Sequence, residues 1–178
     1  MLVRISVLLF VAALFGGRAA SAQQVTKPTV PGASNFAKLE TTVACGGATT
    51  PEAVPELKKM GFKSIINLRL PDEPGAEIDV EAAAAKGAGL NFVNIPFSYA
   101  KPDPQAVERF LQVITSPGTE PAYIHCAGGG RAAMMWFIKR VMVDKWSTDK
   151  AMAEAEALGL TNVPLKTFAS DYVRAHSK

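Results

Sequence analysis

A histidine, a cysteine and an arginine share one short stretch, His125-Cys126-Ala127-Gly128-Gly129-Gly130-Arg131. The small residues between sulfur and guanidinium can turn their backbone N–H groups inward. With a helix N-terminus behind them, those donors make a cradle for an anion. The same field favours the thiolate of Cys126, and the thiolate is the nucleophile. A nucleophile on the floor of an oxyanion cradle points to chemistry on a phosphoryl or related group. Three consecutive glycines weaken a helix start unless the backbone must curl or approach a ligand closely, which argues against an inert cysteine.

The flanking segments position these groups. Pro121 to Ile124 reads as a strand and Ala132 to Val143 as an apolar helix, so Cys126 ends a strand and Arg131 opens a helix. Met134 to Ile138 belongs to the core-facing side of that helix. Upstream, Phe36 to Cys45 carries a strand, and Thr50-Pro51-Glu52 starts a helix that Gly61 ends. Lys63 to Leu68 and Asn91 to Pro96 are further strands, separated by an alanine-rich helix from Glu77 to Lys86. Asp103-Pro104 opens a helix through Ile114, Ser147 starts another and Pro164 the last. Strands alternating with helices predict an α/β fold, with a mostly parallel central sheet of about four to five strands flanked by helices. Ligands bind such sheets beyond the carboxyl ends of the strands. The Arg69–Asp72 turn and the Phe97–Asp103 loop meet the cysteine loop there.

The ends and the composition set further bounds. Arg4, the apolar run Ile5 to Phe15 and the closing Ala20-Ser21-Ala22 have the order of a secretory signal peptide. The apolar run is shorter than the ~20 residues that span a bilayer. The expected organisation is a signal peptide over 1–22, a flexible leader over 23–35 and one domain over 36–178, in an exported protein of the periplasm or medium. Removing Arg4 and Arg18 takes the formal charge from +3 to +1, which leaves no basic field for nucleic acid or an anionic membrane. Cys45 and Cys126 do not make a disulfide framework; Cys45 reads as a small buried residue, with a regulatory bridge to Cys126 as the alternative. The two histidines, His125 and His176, lie far apart, so neither a metal nor another cofactor is expected.

The stretch from Gly46 to Lys145 resembles the cysteine-dependent phosphatase superfamily, whose members include the dual-specificity phosphatases. Within it, the chain is similar to the bacterial beta-lactamase-hydrolase-like phosphatase domains. The matching segments are Gly46-Gly47 with Thr50-Pro51-Glu52, then Gly61 to Arg69, Gly89 to Pro96, and Ile124-His125-Cys126 with Gly129 and Arg131. The resemblance implies a dual-specificity-phosphatase-like fold and a metal-independent phosphomonoesterase. In it Cys126 attacks phosphorus and forms a phosphocysteine that water hydrolyses. Arg131 binds two phosphoryl oxygens in a fork that lysine does not reproduce. The N–H groups of Ala127, Gly128, Gly129, Gly130 and Arg131 hold the equatorial oxygens, and His125 orients the loop.

Three features depart from the superfamily pattern. Cys126 and Arg131 enclose four residues where the best-known members have five, a length that fits the bacterial subgroup. Ala132 follows the arginine where a hydroxyl often assists release of the thiolate. The general acid is not signalled by a motif. Asp103 is the candidate by position, with helix capping as its competing role. Asp72, on the turn after Arg69, is the alternative acid, with a solvated turn position as its competing role. Arg69 is expected to pair with Asp72 or Glu73, while Phe97 and Tyr99 are placed to wall the cleft or, for Phe97, to pack in the core. The substrate expected is a phosphorylated small molecule or phosphoprotein, with phosphotyrosine or a small aryl phosphate preferred. No lysine-rich loop suits highly phosphorylated inositol lipids. A rhodanese-like sulfurtransferase and a phosphate-binding pseudophosphatase are the competing functions.

Overall fold

The computed structural model describes residues 24–39 and 42–177. The expected signal peptide, residues 1–22, lies outside them. Six strands form one sheet: β1 (Val25–Thr26), β2 (Ala37–Leu39), β3 (Val43–Gly46), β4 (Ser64–Asn67), β5 (Asn91–Asn94) and β6 (Ala122–His125). Their order across the sheet is β1-β2-β3-β6-β4-β5. The four strands from β3 to β5 run parallel, with Cys45 opposite Ile124 and Ile66 opposite Ile124 on its other side. β1 and β2 are antiparallel additions at the β3 edge.

Alternation along these short strands builds a core on each face. Cys45, Ile66, Ile124 and Cys126 face one core, against α3 (Pro104–Ile114), α4 (Gly130–Met142), α5 (Thr148–Leu158) and α6 (Val163–His176). Ala44, Ile65 and Tyr123 face the other, against α1 (Ala53–Lys59) and α2 (Ile78–Gly87). α4 is the central helix. Met134, Met135, Trp136, Phe137 and Ile138 are all fully buried, and the Trp136 indole N–H donates to Glu154 Oε1 at 2.7 Å.

The caps explain where several helices begin. Asp103 accepts the Gln105 N–H, Ser147 the Lys150 N–H and Asn162 the Leu165 N–H. α1 begins later than Thr50. The Ala53 and Val54 N–H groups bond back to Thr50 and Pro51 in a tight turn, and the helix starts at Ala53 without a side-chain cap. The segment from Phe36 to Cys45 is two strands, not one, with Ala37 opposite Cys45 after a reversal.

Residues 24–35, expected as a flexible leader, are bound to the domain. Val25 pairs with Leu39, Val30 is buried, and Ser34 exchanges backbone hydrogen bonds with Gly47 and Ala48. An apolar residue and strand-forming polar groups inside a Pro- and Gly-rich stretch account for the difference. β1 in this arm, with the division of the Phe36–Cys45 segment into β2 and β3, takes the strand count from the expected four or five to six.

Candidate active site

Cys126 stands one residue beyond β6, and its own N–H donates to Gly46 O on β3. From there the loop carbonyls point outward. Ala127 O accepts the Ala48 N–H at 2.8 Å, and Gly128 O accepts from Asn35 Nδ2 at 3.3 Å. In a planar trans peptide the N–H opposes the C=O, so the N–H groups of Gly128 and Gly129 turn inward. Gly129 N–H donates to Cys126 Sγ at 3.1 Å. This curl requires φ = 98° at Gly129, a left-handed backbone that a side chain would strain. Ala127 and Gly128 are exposed and Cys126 is buried, so the cradle opens outward with the sulfur at its base.

Arg131, in the first turn of α4, is only 6 % exposed. Its Nη1 donates to Phe97 O at 2.8 Å, Leu68 O at 3.2 Å and Glu73 Oε1 at 2.5 Å. Its Nη2 donates to Glu73 Oε2 at 2.8 Å. Burial works against the charged guanidinium, but the Glu73 carboxylate and the nearby Cys126 sulfur outweigh it and raise its pKa. With Nη1 saturated, the edge left for a ligand is Nε with the second N–H of Nη2.

Glu73 is a site residue that sequence reasoning did not assign. It sits within Pro71-Asp72-Glu73-Pro74, which reads as an ordinary turn. The Leu70 N–H and Arg69 Nε also donate to it, at 3.0 and 3.3 Å. Burial alone raises the Glu73 pKa; the hydrogen bonds from Arg131 and Leu70 and the charge of Arg131 reverse that and hold it at about 2. Glu73 is therefore a carboxylate at ordinary pH, a clamp on Arg131 and not a proton donor. Arg69 forms the expected ion pair with Glu73, not Asp72, and also donates to the carbonyls of Pro74 and Gly75. Asp72 itself is exposed on the turn.

His125 lies on the opposite face of β6 from Cys126, stacked on Tyr123 with ring centroids 5.5 Å apart. Its Nε2 is 2.9 Å from Glu81 Oε1, an ion-pair distance without the alignment of a ring N–H hydrogen bond. Glu81 Oε2 accepts from Asn67 Nδ2 at 2.8 Å, and Asn67 Oδ1 accepts the Arg69 N–H at 2.7 Å. A buried carboxylate on α2 thus links the residue before the nucleophile to the strand that ends in the Arg69–Gly75 turn. Glu81 was hidden at the head of an alanine-rich helix, where Glu77 and Asp79 precede it and nothing in the pattern separates it from them.

Asp103 is exposed at the start of α3, where Oδ1 accepts the Gln105 N–H at 2.9 Å. Phe97 is core, packed on Phe168, whereas Tyr99 is 63 % exposed. Cys45 and Cys126 are both unpaired and buried, and burial, followed by the neighbouring charges of Cys126 and Glu154, pushes the Cys45 thiol up. Among the described residues no three His, Cys, Asp or Glu side chains gather as metal ligands.

A cysteine under inward-turned amides, with a buried guanidinium beside it at the carboxyl edge of a parallel sheet, defines a cysteine-based phosphatase domain of the dual-specificity type. The chain belongs to the PTP-NADK family, described as DSP-PTPase phosphatase fused to NAD+ kinase, whose model matches residues 19–171. It is 33 % identical over 124 residues to a beta-lactamase hydrolase-like protein of Xylella fastidiosa (strain Temecula1), covering 66 % of this chain and 26 % of that one. The chain thus spans about a quarter of that curated relative's length. Its fold is shared with TpbA of P. aeruginosa, solved as a cysteine-to-serine variant in complex with phosphotyrosine, at a TM-score of 0.65 and 18 % identity over 90 % of this chain and 93 % of that one. The core catalytic domain of a PP-IP phosphatase from S. cerevisiae, solved with citrate, superposes at a TM-score of 0.64 and 17 % identity, covering 81 % and 88 %.

Proposed function

We propose that this domain hydrolyses a phosphomonoester through a phosphocysteine, with phosphotyrosine or a small aryl phosphate as substrate, in an exported protein. The observation that carries the reading is the Gly129 N–H directed at Cys126 Sγ beside a guanidinium whose position is fixed from behind. The thiolate forms an S–P bond as the P–O bond to the leaving group breaks, and the departing oxygen takes a proton from Asp103 or from water. Water then attacks phosphorus, the S–P bond breaks and the thiolate returns as phosphate leaves. The amides of the cradle and the free edge of Arg131 hold the equatorial oxygens through both steps. The phosphotyrosine complex of TpbA supports an aryl substrate, and Tyr99, on the loop that follows the Arg131 contact at Phe97, is exposed.

The test is aryl phosphate hydrolysis by the chain from Gln23 onward, under reductant, with two variants. Cys126→Ser is expected to abolish turnover; retained activity overturns the reading. Asp103→Asn separates the two roles of that residue, because asparagine caps a helix as well as aspartate does. A fall of roughly 10²–10⁴-fold assigns Asp103 as the acid, and an unchanged rate leaves it a cap.

One observation favours a slower variant of the same chemistry. Ala132 is buried behind the loop and has no hydroxyl to assist the departing thiolate. Under this variant a rapid burst of aryl alcohol precedes a slow steady rate. Phosphate binding retained in Cys126→Ser with no turnover by the wild-type chain marks a binding module instead.

A further inference from the structure

A cleft of about 480 Å³ lies beside the cysteine loop, between the N-terminal arm and the turn joining α5 to α6. Gly128 borders it on the loop side, Lys27, Thr29 and Asn35 on the arm side, and Leu158 and Thr161 on the helical side. Its arm wall is fixed in the fold by β1, the buried Val30 and the Ser34 backbone hydrogen bonds. Asn35 holds a left-handed backbone, φ = 49°, and from it reaches the Gly128 carbonyl. Asparagine tolerates that conformation better than most residues, and its placement ties the cleft to the cradle. Gly128 is exposed and has open space where a side chain would stand. The cleft thus borders the cradle at Gly128, the exposed residue of its rim.

We infer that the cleft receives the leaving group, and that Lys27 selects leaving groups bearing a second anion, a carboxylate or a phosphate. The inference rests on the phosphatase reading. Lys27 is the only ionisable side chain lining the cleft, and among the described residues it enters no salt bridge. The hydroxyls of Thr29 and Thr161 and the Asn35 amide make the remaining wall polar, which suits a small hydrated substituent better than a bare hydrocarbon. Lys27 here determines specificity and takes no part in the bond-breaking steps.

The experiment compares 3-carboxyphenyl phosphate with 3-carbamoylphenyl phosphate, whose shapes match and whose charges differ. At low salt the wild-type chain is expected to favour the carboxylate by about threefold in kcat/KM, the scale of a partly exposed ion pair. Lys27→Met brings that ratio to about one and Lys27→Glu inverts it. Lys63→Met, which removes a lysine from the opposite end of the sheet, keeps the wild-type ratio. Equal rates on both substrates in the wild type, or a preference that survives Lys27→Glu, overturns the inference while leaving the phosphatase reading intact. Equilibrium binding of the same compounds to Cys126→Ser reads the ratio without turnover. Failure of the wild type to hydrolyse either compound, with no binding to Cys126→Ser, sinks the phosphatase reading itself.

Discussion

The Glu73 carboxylate accepts from both terminal nitrogens of Arg131, from Arg69 Nε and from the Leu70 N–H. With so many donors gathered on it, this is a fixed strut, not a competitor that phosphate must displace. Its pKa falls from an ordinary 4.5 to about 2, so the stabilisation it contributes is complete above pH 4.5 and disappears as the pH falls towards 2. Acid unfolding followed by circular dichroism should show that loss in the wild type, and Glu73→Gln should flatten the slope in this window. At neutral pH the same variant is expected to lower kcat/KM by roughly 10- to 100-fold, the scale of losing a charge-assisted hydrogen bond. Vanadate affinity should fall in parallel, a change that a purely structural role elsewhere in the turn leaves alone. Cys126 and Arg131 were legible from sequence because their spacing is local. Glu73 was not, because its partner Arg131 lies 58 residues away, and only the fold brings them together.

Among the elements, the loop between β6 and α4 sets unequal demands on its glycines. Gly129 needs its positive φ, whereas a side chain at Gly128 meets open space. Gly129→Ala should therefore destabilise by about 1–3 kcal/mol and depress activity, while Gly128→Ala leaves the melting temperature close to wild type. Paired thermal melts check the difference; equal losses would mean the loop does not hold this curl. The helices that Asp103 and Ser147 cap were readable to within a residue, and the last begins at Val163, one residue before the expected Pro164, with Asn162 as its cap. The start of α1 was not readable, because the sequence offers a hydroxyl at Thr50 but says nothing of the turn at Pro51 and Glu52 that delays it. The strand pair β2–β3 was read as one strand since its reversal carries no glycine or proline.

For the molecule as a whole, the parallel centre and its helical covers followed from alternation of apolar runs, and those are dictated by burial on both faces. The N-terminal arm was the larger surprise. Its composition suggests a tether, yet it lengthens the sheet, buries Val30 and lends Asn35 to the cysteine loop. A chain beginning at Ser34 should melt about 5 °C or more below the longer one. Its β2 edge would then be unpaired, so size-exclusion chromatography should show self-association that the longer chain lacks. An unchanged melting temperature would count against the arm as part of the domain.

The histidine before the nucleophile faces away from the mouth, towards a carboxylate on a helix of the far layer. Laboratory evolution confined to residues that ring the opening would never sample that helix. Libraries for altering rate or pH range should therefore include Asn67 and Glu81, whose changes would reach the reacting sulfur through the back of the strand that bears it.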